Sequence, residues 1–315
     1  MSIFVALKEL LYKTLVNMNK YLPLAAGLLM LAACSQKPGY KISGNVHNPE
    51  LDGQYVYLTA HGSESALDSA IVTDGKFTFE GVVDTPKIST LSFAPGETPR
   101  GTFATTLILE NGKITADLDT FSTAKGTPDN DNLALITEQI RDLQEAAVKL
   151  ESAITPVEEG KISDEDMAKV EAAEKKAYDA AESYVRNHLN DLSGAYILAT
   201  NQYYISEESL IDIVSQSGDL FKSYPAIGKL MNRIEVLKKV AIGNQFVDFE
   251  MTDLEDNAVK LSDYVGNGKV ALIDFWASWC PPCRASIPGL KKVYDEYKDK
   301  GFEIVGVSLD SKKDA

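Results

Sequence analysis

The chain is poor in the residues from which redox, metal and polyanion-binding sites are usually built. Its 315 residues include three cysteines, two tryptophans and three histidines, and 46 acidic residues outnumber 31 basic ones for a net charge of −15. His47, His61 and His188 stand apart, and none has a companion at metal-ligand spacing, which excludes a histidine-based metal centre. His47 and His61 therefore read as surface or hydrogen-bonded side chains. With so few cysteines, no structural disulfide framework can be built. The acidic balance, with no basic run interleaved with aromatics, excludes nucleic acid as a partner. The apolar stretch Tyr21–Ala33 is shorter than the ~20 residues a membrane-spanning helix needs.

That stretch has another reading. Lys20 precedes it and Leu31-Ala32-Ala33-Cys34 closes it, which makes a positive start, a short apolar core and a small-residue cleavage site. The closing tetrapeptide resembles the lipobox of bacterial lipoproteins, which implies that Cys34 becomes a lipid-bearing first residue. Residues 1–34 are thus expected to be a signal segment, with Met18 a better start than Met1, and residues 35–39 a polar tether. An extracytoplasmic setting follows, and two cysteines remain to pair.

Three regions are expected beyond the tether. Residues 40–122 show short alternating runs broken by turn residues, as in Tyr40–Val46, Gln54–Thr59, Lys76–Glu80 and Thr105–Leu109. Asp74-Gly75 and Asn111-Gly112 read as hairpin turns, with Lys113–Leu118 pairing back across the second. The pattern predicts an all-β, sandwich-like domain of antiparallel strands, with Tyr55 and Tyr57 packed on its core. From residue 128 to 242 the period becomes helical. Leu133, Ile136, Ile140, Leu143, Ala147, Leu150 and Ile154 form one stripe, Ser163 and Asp166 a capping box, and an alanine-rich stripe follows. A close-packed helix pair within one chain accounts for both stripes. Arg233, Lys238 and Lys239 read as solvated. From 243 to 315, an apolar strand, an amphipathic helix and a second apolar strand predict a parallel βαβ unit.

The chemistry is carried by Trp279-Cys280-Pro281-Pro282-Cys283, which follows the apolar strand Val270–Phe275. At the start of a helix, free N–H groups and the positive dipole end favour a thiolate at Cys280. Cys283 lies one turn on and deeper, in reach of a mixed disulfide at Cys280. Cys280 is the candidate attacking sulfur and Cys283 the resolving one. Pro281 and Pro282 stiffen the first turn, where a missing N–H does no harm. Asp274, inside the apolar strand, is costly without a role, and it is the candidate acceptor of the Cys283 proton. Trp276 and Trp279 are expected to pack beside the pair and shield it. A zinc site would need two more ligands and has none nearby, so no metal or other cofactor is expected.

The run Val270-Ala-Leu-Ile-Asp-Phe-Trp-Ala-Ser-Trp-Cys-Pro-Pro-Cys-Arg284, with Ile287-Pro288 and Phe302–Asp310 behind it, resembles the thioredoxin-like reductases of the TlpA and ResA kind. The order of lipobox, β domain and helical region resembles the multidomain lipoprotein forms common in Bacteroidetes. The resemblance implies a thioredoxin-like fold for residues 243–315, attack by Cys280 and resolution by Cys283. Asp274 matches the buried carboxylate of thioredoxin itself. It also implies that 243–315 holds only the first half of such a domain, truncated before the cis-proline hairpin. Function and partners follow as expectations. The chain would be an enzyme anchored to the membrane by lipid and facing the periplasm, reducing disulfides in envelope proteins and recharged by a membrane thiol-electron donor. Two alternatives remain at this stage, a thiol peroxidase of the peroxiredoxin-like superfamily and a non-enzymatic envelope binding protein.

Overall fold

A computed structural model of the chain describes residues 39–95, 103–155, 162–266 and 268–312. The signal segment and Cys34 lie outside them. The chain divides into two compact units, one running to Ile234 and one from Glu235. Among the described residues no helix is long and apolar enough to cross a membrane.

The first unit begins with two four-stranded sheets. Strands β1 (Tyr40–Val46), β4 (Lys76–Gly81), β7 (Gly112–Leu118) and β8 (Thr123–Lys125) form one, in the order β4-β1-β7-β8. Strands β2 (Tyr55–Ala60), β3 (Ala66–Ile71), β5 (Lys87–Ser92) and β6 (Thr105–Leu109) form the other, in the order β3-β2-β5-β6. Alternation puts Ile42, Phe77, Phe79 and Ile114 of the first sheet against Val56, Leu58, Leu91 and Leu107 of the second in one buried cluster. Gly44 is required there, because a Cβ at this position would overlap the Phe77 ring.

Four expectations change. The strands are not all antiparallel, since β1 runs parallel to β7, from Tyr40↔Gly112 to Val46↔Leu118. Asp74 and Gly75 do form a two-residue turn with positive φ at both positions, and Thr73 and Lys76 exchange hydrogen bonds of 2.9 and 3.1 Å across it. Beyond that one bridge, however, β3 and β4 diverge into different sheets. Asn111-Gly112 is likewise a crossing point, and β7 pairs with β1 and β8, not with β6. The Asn111 side chain is spent on Val83, accepting its N–H at 3.0 Å and donating to its carbonyl at 2.7 Å. Tyr55 and Tyr57 occupy the outer face of β2, with Tyr55 exposed, because Val56 and Leu58 take the inner one.

The outer face of the second sheet is covered by helices: α1 (Pro128–Ala153), α2 (Asp164–Asn187), α3 (Leu192–Asn201), α4 (Glu207–Gln216), the short α5 (Asp219–Lys222) and α6 (Pro225–Lys239). Ile88 and Ile108 point out of the sheet into a cluster with Leu133, Ile136, Ala177, Ala181, Leu198 and Phe221. The second sheet therefore serves two cores, one inside the sandwich and one beneath the helices. Helices α1 and α2 pack on each other, and small Ala177 and Ala181 let them approach closely; the expected α1 stripe is buried at Leu133, Ile136, Ile140 and Ala147, but Leu150 is exposed and Ile154 lies past the helix end. Ser163 caps α2 by accepting the Asp166 N–H at 3.1 Å. Arg233 is not simply solvated; its guanidinium lies 4.7 Å over the Tyr203 ring and donates to Gln202.

His61 is not isolated either. Its Nδ1 is 3.2 Å from Thr90 Oγ1, and its ring meets Tyr196 edge-on with centroids 5.4 Å apart. Burial at this seam pushes its pKa below the ordinary histidine value. The folded state then binds a proton less readily than the unfolded chain, so stability is intact above about pH 6.5 and falls as the pH drops through the folded pKa. Glu110 and Asp129 act in the opposite sense, their pKa values raised chiefly by burial, but they are common to both proteins in the following test. Between pH 7.5 and 5.5 the thermal midpoint of the first unit should fall further in the native protein than in His61→Gln. Equal slopes in scanning calorimetry would contradict this assignment.

Candidate active site

The second unit is built on two parallel strands, β11 (Val270–Trp276) and β12 (Phe302–Ser308), joined through α7 (Pro281–Tyr297). A short hairpin of β9 (Glu250–Thr252) and β10 (Ala258–Lys260) precedes them. The expected βαβ arrangement is present, in register from Val270↔Phe302 to Trp276↔Ser308. Val270 and Phe275 stay exposed on β11, whereas Val307 is buried, on the face where Phe275 meets the ring of Phe249.

The loop from β11 to α7 sets the geometry of the cysteines. The Cys280 N–H donates to the Ala277 carbonyl at 3.1 Å, closing a tight turn over the buried Ala277. Cys280 then serves as the N-cap of α7, in extended backbone conformation, and its Sγ accepts the Cys283 N–H at 3.3 Å. Its carbonyl accepts the first helical hydrogen bond, from Arg284 N–H at 3.1 Å. Pro281 and Pro282 fill the first two helical positions, where no N–H is needed. Cys280 and Cys283 are disulfide-bonded, with Cα atoms 5.3 Å apart. Both residues are half-buried, so depth does not separate them as the sequence suggested; the hydrogen bond does. Only Cys280 Sγ faces a free helix N–H, which is the electrostatic asymmetry an attacking sulfur requires.

Trp276 and Trp279 part company. Trp276 is half-buried and lines the cleft beneath α7, while Trp279 is 70% exposed and shields nothing. It stands at the outer bend of the loop, one residue ahead of the cap, where no element among the described residues covers it. Asp274 shares the α7-facing side of β11 with Trp276. It lines a cleft of about 360 Å³ together with Ile287, Leu290, Lys291, Tyr294 and Glu303. The cleft is open, so the carboxylate is half-exposed and not sealed in a core, which removes much of the cost of placing it in an apolar strand. Among the described residues no three His, Cys, Asp or Glu side chains are grouped to hold a metal ion.

Sequence reasoning missed Ser278 and Asp310. The Asp310 carboxylate accepts the Ser278 N–H at 3.0 Å and its Oγ at 2.8 Å, across 32 positions of sequence. These bonds, the Ser278 N–H first among them, hold the carboxyl below the usual carboxylate range. The only local signal was a polar Ser308-x-Asp310 at the end of an apolar strand.

A dithiol pair at the N-terminus of the crossover helix of a βαβ unit defines a thioredoxin-like redox unit. Residues 242–315 match the AhpC/TSA family, and residues 40–133 match a domain of unknown function, DUF4369. A thiol-disulfide oxidoreductase ResA of Oceanobacillus iheyensis is 42% identical over 73 residues, covering 22% of this chain and 37% of that protein. The ResA of Bacillus thuringiensis subsp. konkukian is 37% identical over 73 residues, or 23% and 41% of the two chains. The solved thioredoxin domain of a thiol-disulfide oxidoreductase from Bacteroides vulgatus is 42% identical, with a TM-score of 0.22, and covers 24% of this chain and 51% of that one. The chain thus spans about two-fifths of the length of the curated relatives it matches. Its C-terminal unit is thioredoxin-like and similar to proteins of the TlpA/ResA type.

Proposed function

We propose that the protein is a thiol–disulfide oxidoreductase that reduces disulfides in proteins of the cell envelope. The observation that carries this reading is the Cys280–Cys283 pair at the start of α7, with the Cys283 N–H directed at Cys280 Sγ. In the reduced protein the Cys280 thiolate attacks one sulfur of a substrate disulfide. The substrate S–S bond breaks, and the departing thiolate takes a proton from water. Cys283 then gives up its proton and attacks Cys280 Sγ, which forms the disulfide seen here and frees the second substrate thiol. Asp274 is the candidate acceptor of that proton, through water in its cleft. Two electrons pass from the dithiol to the substrate, and a membrane thiol-electron donor restores the pair. The names of the ResA relatives support this reading over a thiol peroxidase, and so does a resolving cysteine one helical turn from the attacking one. It is tested by mixing the reduced protein with a disulfide-bonded peptide and, in a separate reaction, with oxidised glutathione. Stoichiometric conversion of Cys280 and Cys283 to their mutual disulfide, with reduced peptide released, is the expected result; a pair that stays reduced would refute it.

The Leu31-Ala-Ala-Cys34 motif supports attachment to the membrane by lipid on Cys34 and exposure to the periplasm. Intact-mass analysis of detergent-extracted protein should show a diacyl or triacyl adduct on a chain that begins at residue 34. A protein with free Ser35 or Gln36 at its N-terminus would rule the anchor out. Removal by protease from the surface of intact cells would rule out the periplasmic orientation.

A further inference from the structure

Only Ala277, Ser278 and Trp279 separate β11 from the capping residue Cys280, and the path of these residues decides where the first sulfur points. Hydrogen bonds hold the path up to Ser278. Strand pairing ends at Trp276↔Ser308, and just beyond it the Leu309 N–H donates to the Trp276 carbonyl at 2.8 Å. The Ala277 carbonyl is taken by Cys280 N–H, and Ala277 itself is 1% exposed. Ser278 is held through both its N–H and its hydroxyl by the Asp310 carboxylate. That carboxylate is itself oriented by Ser308, whose Oγ donates to it at 2.8 Å while accepting the Asp310 N–H at 3.1 Å. Trp279, the residue without such a tie, is the one that swings into solvent.

We propose that Asp310 is the positioning residue of the redox site, clamping Ser278 so that Cys280 Sγ stays in line with the Cys283 N–H when the disulfide is open. This rests on the dithiol reading above. The clamp joins the ends of both strands of the βαβ unit to the residue two before the attacking sulfur. A hydrogen bond from one helix N–H is sensitive to the angle at which the cap enters, and three donors on one carboxylate leave that angle little freedom. Asp310 does not touch the reacting atoms; it acts through the backbone of Ser278.

The proposal has an unusual sign. A carboxylate that acted on Cys280 only through its charge would disfavour the thiolate, so its neutralisation would lower the thiol pKa. A carboxylate that positions the loop does the reverse. The measurement is the pH dependence of Cys280 alkylation by iodoacetamide, in which the thiolate displaces iodide. It is followed peptide by peptide in the whole chain carrying Cys283→Ser. Asp310→Asn should raise the Cys280 pKa by about one unit and slow alkylation at pH 7 several-fold. Ser278→Ala, which keeps the carboxylate and its bond to the backbone N–H, should shift it in the same direction by less. The double variant should go no further than Asp310→Asn alone. A pKa that falls or stays in place in Asp310→Asn overturns the proposal. Should hydrogen exchange show that Asp310→Asn loosens Val270–Trp276, Ser278→Ala decides alone, and an unshifted pKa there overturns it equally. Failure of the parent protein to exchange with oxidised glutathione would remove the reductase reading and leave the alkylation result untouched.

Discussion

Replacing Cys280 with serine is expected to abolish disulfide reduction and the capture of substrates together, whereas replacing Cys283 abolishes only turnover. The difference follows from the hydrogen bond at the helix start. Cys280 Sγ is the acceptor of the Cys283 backbone N–H, and that N–H survives the exchange of the Cys283 side chain for serine. In Cys283→Ser the Cys280 thiolate therefore still forms at neutral pH and still attacks, but nothing within reach displaces the substrate from the mixed disulfide. Trapped partners should accumulate and be released by dithiothreitol. In Cys280→Ser the hydroxyl is not ionised at any accessible pH, and Cys283 lacks the helix-start N–H that Cys280 enjoys. Turnover should drop by about three orders of magnitude or more in both variants, since attacking and resolving groups act as a unit. The measurement is non-reducing electrophoresis of membrane extracts with mass identification of the adducts. Equal trapping by the two variants would mean that the attacking and resolving roles are misassigned.

Much of this site was legible because its determinants are local. Apolar Val270–Phe275, two prolines between two cysteines and a helical stripe behind them are contiguous, and each carries its own backbone preference. The Ser163–Asp166 cap of α2 was legible for the same reason. What escaped was set by distant partners. Ser278 and Asp310 are ordinary residues until the parallel pairing of β11 with β12 brings the strand ends side by side. Strand β5 reads Lys-Ile-Ser-Thr-Leu-Ser, a polar sequence, yet five of its six residues are buried because helices cover the face that Ile88 presents. The turn chemistry at Asn111-Gly112 suggested a hairpin, but the chain uses that turn to change sheets. Turn propensity reports a local reversal and not the partner that follows it. Trp279 was expected to shield the cysteines because tryptophan is large and apolar, and its exposure follows from the outer bend of the loop on which it rides.

The largest loss of stability should come from Asn130→Ala, at a position with no apparent chemistry. β6 is the edge of its sheet, and Ile108 would otherwise leave an N–H and a carbonyl unpaired beneath the helices. Asn130 closes that edge as a further strand would. Its Oδ1 accepts the Ile108 N–H at 2.8 Å and its Nδ2 donates to the Ile108 carbonyl at 2.8 Å. Nδ2 also reaches Thr127 Oγ1 at 2.8 Å, which ties the first turn of α1 to the same point. The residue is 0% exposed, so no water can take over these bonds without opening the seam between sheet and helices. Truncation to alanine leaves the two buried Ile108 backbone groups without partners, each costing about 1–3 kcal/mol, and a loss of about 3 kcal/mol or more is expected. Asn130→Asp should be nearly as damaging at neutral pH, because the carboxylate can accept from Ile108 N–H but would face its carbonyl. Asn130→Asp alone should recover as the pH falls and the carboxyl gains a proton to donate. Urea unfolding of the first unit, followed at pH 7 and pH 5, measures both effects. A destabilisation below about 1 kcal/mol in Asn130→Ala would mean that the edge of β6 finds other partners. A pH-independent deficit in Asn130→Asp would show that geometry, and not the missing donor, is what the position supplies.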